Sequence, residues 1–123
     1  MVPPADRLPP APDDRAWPMS PDYVARAKVG RVILRDDPHR PRYHACAPVG
    51  WMNDPNGAIQ HDGRWHLFYQ HNPRAGVHAD MHWGYMSSPD LVHWDDHACA
   101  LRPEDGTYER SSRTPTGLRG PRA

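Results

Sequence analysis

The chain predicts an all-β fold: one four-stranded antiparallel sheet of the kind that forms a single blade of a β-propeller. Three observations carry this. Ala58 to His61 and Arg64 to Gln70 flank Asp62-Gly63, the pattern of a hairpin closed by a two-residue type I′ turn. Two further β-type runs follow, near Met81 to Ser87 and near His93 to Leu101. Ser88-Pro89-Asp90 separates them and reads as a turn, because Pro fixes φ and the Asp side chain bonds its own backbone.

Within the second strand, alternation places Trp65, Leu67 and Tyr69 on one face and His66, Phe68 and Gln70 on the other. Ahead of the sheet, Ser20-Pro21-Asp22 is a helix-start signal, with Ser20 as N-cap and Pro21 in the first turn. The helix is expected to run to Val29, with Gly30 behind it and a thin apolar face of Tyr23, Ala27 and Val24. Met1 to Pro18 is rich in Pro, Ala and Asp and reads as a loose arm. These signals divide the chain into an arm with a short helix (1–40), the blade (41–108) and a disordered tail (109–123).

With 123 residues the chain is one small domain at most. Only 37% of it is hydrophobic, and 16 residues are Pro, so core material is scarce. Formal net charge is zero, which gives no global pull toward nucleic acid or an anionic membrane. No run approaches the roughly 20 apolar residues of a membrane span. Met1 to Pro12 has no apolar segment of the signal-peptide kind, so a cytoplasmic location is expected, with Cys46 and Cys99 as free thiols.

The stretch Trp51-Met52-Asn53-Asp54-Pro55-Asn56-Gly57 concentrates the chemistry. Pro55 disfavours the α region at Asp54, which is therefore expected to be extended at a strand end. Pro55-Asn56-Gly57 then reads as a turn. A carboxylate held rigidly beside two carboxamides and an aromatic ring suits nucleophilic attack on a sugar. Taken alone, an Asn-Asp-Pro-Asn-Gly run is most often only a turn.

The surrounding blocks add to that reading. They are Arg40-Pro41-Arg42-Tyr43-His44, Gly50 to Gly57, Leu67-Phe68-Tyr69-Gln70-His71-Asn72-Pro73, His82-Trp83-Gly84 and Ser87-Ser88-Pro89-Asp90-Leu91-Val92-His93-Trp94. Together they resemble the start of glycoside hydrolase family 32, which holds invertases, sucrose-6-phosphate hydrolases, levanases and inulinases. The resemblance covers roughly residues 38 to 106. It implies that the sheet is the first blade of a five-bladed propeller, here incomplete. It implies that Asp54 is the nucleophile of a retaining β-fructosidase acting on sucrose, sucrose-6-phosphate or fructans. It assigns Asn53, Gln70 and Trp83 to the fructosyl ring, and Trp51 to the same pocket. It implies a small sugar as partner, with no cofactor, nucleic acid or membrane. The family's acid, a Glu beside a Cys, is not matched in this chain; Glu104 and Asp105 read as solvated loop carboxylates. After Tyr108 the residues resemble a truncated or frame-shifted end more than the family's next strand. Tyr85 departs from the family pattern, in which His more often follows Trp-Gly.

Two rival readings stand beside the enzyme: an inactive remnant keeping half a sugar pocket, and a small β-sheet carbohydrate-binding module. The nine histidines do not make a metal centre. On a strand, four residues span about 13 Å, and the five-residue spacing of His61, His66 and His71 alternates faces. The charged segment Arg31 to Arg42 is a weak candidate for a phosphate contact.

Overall fold

The computed structural model describes residues 8–103. It shows a 3-10 turn at Trp17–Met19, a helix α1 (Pro21–Leu34), and strands β1 (Trp51–His61), β2 (Arg64–Asn72), β3 (His82–Ser88) and β4 (Asp95–Leu101). The strands form one antiparallel sheet in the order β1-β2-β3-β4. This is the all-β blade that the turn spacing predicts. The hairpin closes as expected: His61 pairs with Arg64, and Asp62 and Gly63 both take positive φ, 49° and 75°.

Alternation gives the sheet two unlike faces. Tyr69, Met86 and Ala47 form a buried cluster, with Met52, Leu67 and Trp94 packed against it. On the same side, Trp17, Tyr23, Ala27 and Cys99 form a second cluster beneath α1. The helix buries Tyr23, Ala27 and Gly30, residues spaced four and three apart on one face. Arg31 fastens it to β4: Nη2 donates to Asp96 Oδ1 at 2.7 Å and to the Cys46 carbonyl at 2.8 Å, and Nε also reaches Asp96.

Four expectations need correction. The helix does not stop at Val29 but continues to Leu34, and Gly30 lies inside it. A Cβ at Gly30 would sit 2.4 Å from Val49 Cγ1 and 2.8 Å from the Pro48 carbonyl oxygen, so the glycine serves close packing and not termination. Ser20 occupies the N-cap but makes no side-chain cap; its hydroxyl donates to the Trp17 carbonyl at 2.7 Å. The segment from residue 8 to Pro18 is not a loose arm. Trp17 is buried between the Arg26 and Arg74 guanidiniums, 5.6 and 5.4 Å from its ring centre. Arg74 also donates to the Asp14 carbonyl at 2.8 Å. Finally, β4 begins at Asp95, two residues later than expected. Asp90 Oδ1 accepts the backbone N–H groups of Val92 and His93, and Ser88 Oγ accepts those of Asp90 and Leu91. That turn absorbs His93 and leaves Trp94 to pack into the core. The tail after residue 108, with Glu104 and Asp105, lies outside the described residues.

Gly84 faces Tyr69 across the β2–β3 ladder, and a Cβ there would lie 2.4 Å from the phenol ring. Tyr69 is 1% exposed and has no room to retreat. Gly84→Ala is therefore expected to destabilise the fold by about 1–3 kcal/mol, the usual cost of overpacking. A urea-unfolding midpoint that did not move would show that this core yields.

Among the described residues no helix is long and apolar enough to cross a membrane. Both cysteines are free, and burial pushes the Cys99 thiol up to about 12, which makes it a packing residue at neutral pH.

Candidate active site on the open face of the sheet

The second face carries the predicted site. Asn53 on β1 pairs with Gln70 on β2, and Gln70 pairs with Trp83 on β3. Directly opposed residues project to the same side of a sheet, so these three side chains form one cross-strand row. Trp51 stands two residues before Asn53 and shares its face. All four are half-buried. The structure thus brings together Trp51, Asn53, Gln70 and Trp83, which lie as far as 32 positions apart in the sequence.

Asp54 is placed differently from the expectation. It is neither extended nor at a strand end. Residues 51–61 form one continuous strand, and the register passes from Asn53↔Gln70 to Pro55↔Tyr69, leaving Asp54 without a partner on β2. It is the extra residue of a bulge, with φ of 28°. The strain before proline is met by a left-handed backbone, which Asp tolerates better than most residues. Pro55-Asn56-Gly57 is correspondingly not a turn but strand, with a second irregularity between Asn56 and Ile59 at which Gly57 takes φ of 60°.

The two carboxamides fix the backbone of Asp54 and leave its carboxylate alone. Asn53 Oδ1 accepts the Asp54 N–H at 2.9 Å, and Asn56 Nδ2 donates to the Asp54 carbonyl at 3.1 Å. Among the described residues no hydrogen bond or ion pair engages the carboxylate itself, and the residue is exposed. A bulge of this kind re-aims one side chain away from the ladder, and here that side chain is the predicted nucleophile.

Behind the row, a buried relay holds the start of β1. His71 Nδ1 lies 2.8 Å from the Trp51 carbonyl, and its Nε2 lies 2.8 Å from the Tyr23 hydroxyl. A carbonyl can only accept, so Nδ1 carries the proton and Nε2 accepts from Tyr23. Burial pushes the His71 imidazole down to about 4, against the raising effect of the Trp51 bond, and the neighbouring His82 pushes the same way. His71 is thus a neutral structural link from α1 through β2 to the strand that bears Asp54.

Two contributors were not anticipated. His78 meets the Trp51 ring edge-on, with centroids 6.0 Å apart. Asn72 shapes the loop that carries His78: its Oδ1 accepts the backbone N–H groups of Arg74 and Ala75, and its Nδ2 donates to the Val77 carbonyl. The Asn72-Pro73 pair, a turn-initiating dipeptide, was the available signal. Further along the same face Tyr85 stacks on Phe68 at 4.9 Å and on His97 at 4.4 Å. Its hydroxyl donates to His66 Nδ1 at 2.6 Å, the polar contact left open by its departure from the family pattern. His61 and His66 share a face, with ring centroids 6.4 Å apart, because the Asp62-Gly63 turn pairs His61 with Arg64; only His71 of the three points to the buried side. Among the described residues no group of metal-binding side chains occurs.

Comparison with known proteins fits this arrangement. Residues 44–113 match the model of the glycosyl hydrolases family 32 N-terminal domain, more than half of the chain. Raffinose invertase of Escherichia coli is 47% identical over 70 residues, which cover 57% of this chain and 14% of that protein. Sucrose-6-phosphate hydrolase of Escherichia coli is 45% identical over 83 residues, covering 63% of this chain and 17% of that one. Among solved structures, the Bombyx mori GH32 beta-fructofuranosidase superposes with a TM-score of 0.55 at 45% identity, over 68% of this chain and 17% of the other. The chain therefore spans less than a fifth of the length of these relatives. The bulge at Asp54, the row Asn53–Gln70–Trp83 and the blade beneath them lie within the matched residues, and the chain belongs to glycoside hydrolase family 32.

Proposed function

We propose that this chain supplies the nucleophile-bearing first blade of a retaining β-fructosidase that hydrolyses terminal β-D-fructofuranosyl linkages in sucrose, sucrose-6-phosphate or fructans. Asp54 attacks the anomeric carbon, and the leaving oxygen departs with a proton from a second carboxylic acid. Water then releases fructose from the covalent ester with retained configuration. Asn53 and Gln70 hydrogen-bond the sugar hydroxyls, while Trp83 and Trp51 offer ring surfaces to its C–H faces. The observation that carries this reading is the state of Asp54: its backbone is fixed on both sides by Asn53 and Asn56, while its exposed carboxylate is engaged by no described residue. The relatives' names, invertase, sucrose-6-phosphate hydrolase and exo-inulinase, support a fructoside as the substrate.

Retention requires a second carboxyl about 5 Å from the first. The residues paired across the sheet from Asn53 and Pro55 are Gln70, Tyr69, Trp83 and Gly84, and none is acidic. Among the described residues this row therefore offers a sugar contact and no acid for the leaving group, which favours the inactive-remnant reading for the isolated chain. General acid catalysis contributes roughly 10²–10⁴-fold, and the open face also admits water. The isolated chain is expected to release no fructose from sucrose above background. Release that disappeared in Asp54→Asn would overturn the inactive-remnant reading and place the acid within the chain.

A further inference from the structure

On the helix side of the sheet, away from Asn53, Gln70 and Trp83, a cavity of about 240 Å³ is lined by Arg31, Arg35, Arg40, Pro41 and Arg42. Four of its five lining residues are guanidinium-bearing and none is acidic. Arg35, the C-cap residue of α1, keeps helical φ and ψ and lies one turn after Arg31, so their side chains share a face. Arg40 and Arg42 come from the loop that follows.

Two of these cations are held by bonds that do not line the cavity. Arg31 binds Asp96 and the Cys46 carbonyl, and Arg40 Nη2 donates to the next carbonyl, Ala47, at 2.5 Å. Among the described residues carboxylates match two of the four charges: Asp96 pairs with Arg31, and Asp36 lies 3.7 Å from Arg35 in an exposed pair. Arg40 meets a neutral carbonyl and, among the described residues, no carboxylate. Arg42 has no hydrogen bond or ion pair among the described residues. Like charges gathered around one concavity repel unless an anion joins them. The anchored guanidiniums of Arg31 and Arg40 present planar donor forks that suit phosphate oxygens and lose little freedom on binding.

We propose that this cavity binds a dianionic phosphate group, carried by inorganic phosphate or by a small sugar phosphate, with Arg40 and Arg42 supplying the unmatched charge. The site is independent of Asp54, because Arg31 and Asp96 place it on the opposite face of the sheet from the candidate active site.

The test is isothermal titration of the chain with inorganic phosphate and, separately, with glucose 6-phosphate, at constant ionic strength set by chloride. One saturable site is expected, with affinity falling at least about tenfold in Arg42→Gln. Saturation by both probes or by either alone supports the site and identifies the carrier. Arg42 makes no contact that the fold needs, so Arg42→Gln remains informative even if Arg40→Gln fails to fold. No saturable heat with either probe, equal heat from chloride, or unchanged affinity in Arg42→Gln would overturn the proposal.

Discussion

In a β-fructosidase that carries this segment, Asp54→Asn lowers kcat/KM for sucrose by roughly 10⁴–10⁶-fold, the scale of losing a covalent nucleophile. Asn is the informative replacement because it matches Asp in shape and tolerates the positive φ of the bulge. The backbone bonds from Asn53 and Asn56 do not involve the carboxylate and persist in the variant. Stability should therefore change by no more than about 0.5 kcal/mol, as for other exposed positions. The two readouts separate the alternatives. A variant that keeps most of its turnover shows that another group attacks the sugar. A variant whose urea midpoint falls sharply shows that Asp54 supports the bulge, and the activity loss then says nothing of chemistry.

Acid is expected to unfold this chain between about pH 6.5 and pH 4, through His71. Its folded-state pKa is depressed to about 4 by burial, against the ordinary value of 6.5. Above pH 6.5 the imidazole is neutral in both states and its contribution to stability is complete. As pH falls below 6.5 the unfolded chain takes a proton that the folded chain refuses, and stability is lost until the folded pKa is reached. A difference of this size amounts to on the order of 3 kcal/mol. The groups around His71 agree with this direction. Tyr23 donates to Nε2 and the Trp51 carbonyl accepts from Nδ1, so a second ring proton must displace the hydrogen bond from Tyr23. His82 is held below its usual range by its own burial and loses stability over the same direction of pH. About 70 β-rich residues without a disulfide sit near the limit of independent stability, so a loss of this size suffices to unfold them. Urea midpoints at pH 7.5, 6 and 4.5 measure it directly. A midpoint independent of pH over this range would mean that His71 takes up its proton equally in the folded and unfolded chain, and so is not held neutral by burial.

The single blade is better covered than its composition suggests. A lone sheet with Trp65, Leu67 and Tyr69 on one face would expose a patch that soluble chains rarely carry. Here α1 and the segment from Ala45 to Val49 close over that face, and Tyr69 and Met86 fall to 1% and 0% exposure. Among the described residues the opposite face stays open, with Trp83, Phe68 and Tyr85 half-buried, and β1 and β4 are the edges of the sheet.

The sequence by itself determined the sheet, because its signals are local. Asp62-Gly63 sets the hairpin, and alternation along Arg64 to Gln70 assigns each side chain to a face before any partner is known. It also singled out the residues proposed to bear the chemistry, since Asn53, Asp54, Gln70 and Trp83 stand in family blocks. Tertiary structure decided the rest. Whether Asp54 is extended or bulged depends on how β1 registers against β2, and register is a property of two strands together. Whether Gly30 ends a helix or lies inside it depends on Pro48 and Val49 pressing against the position where its Cβ would be. The bond from Tyr23 to His71 joins residues 48 positions apart, and no local pattern announces it. Local chemistry chose the parts, and long-range packing fixed the backbone conformation of Asp54, the carboxylate proposed to attack the sugar.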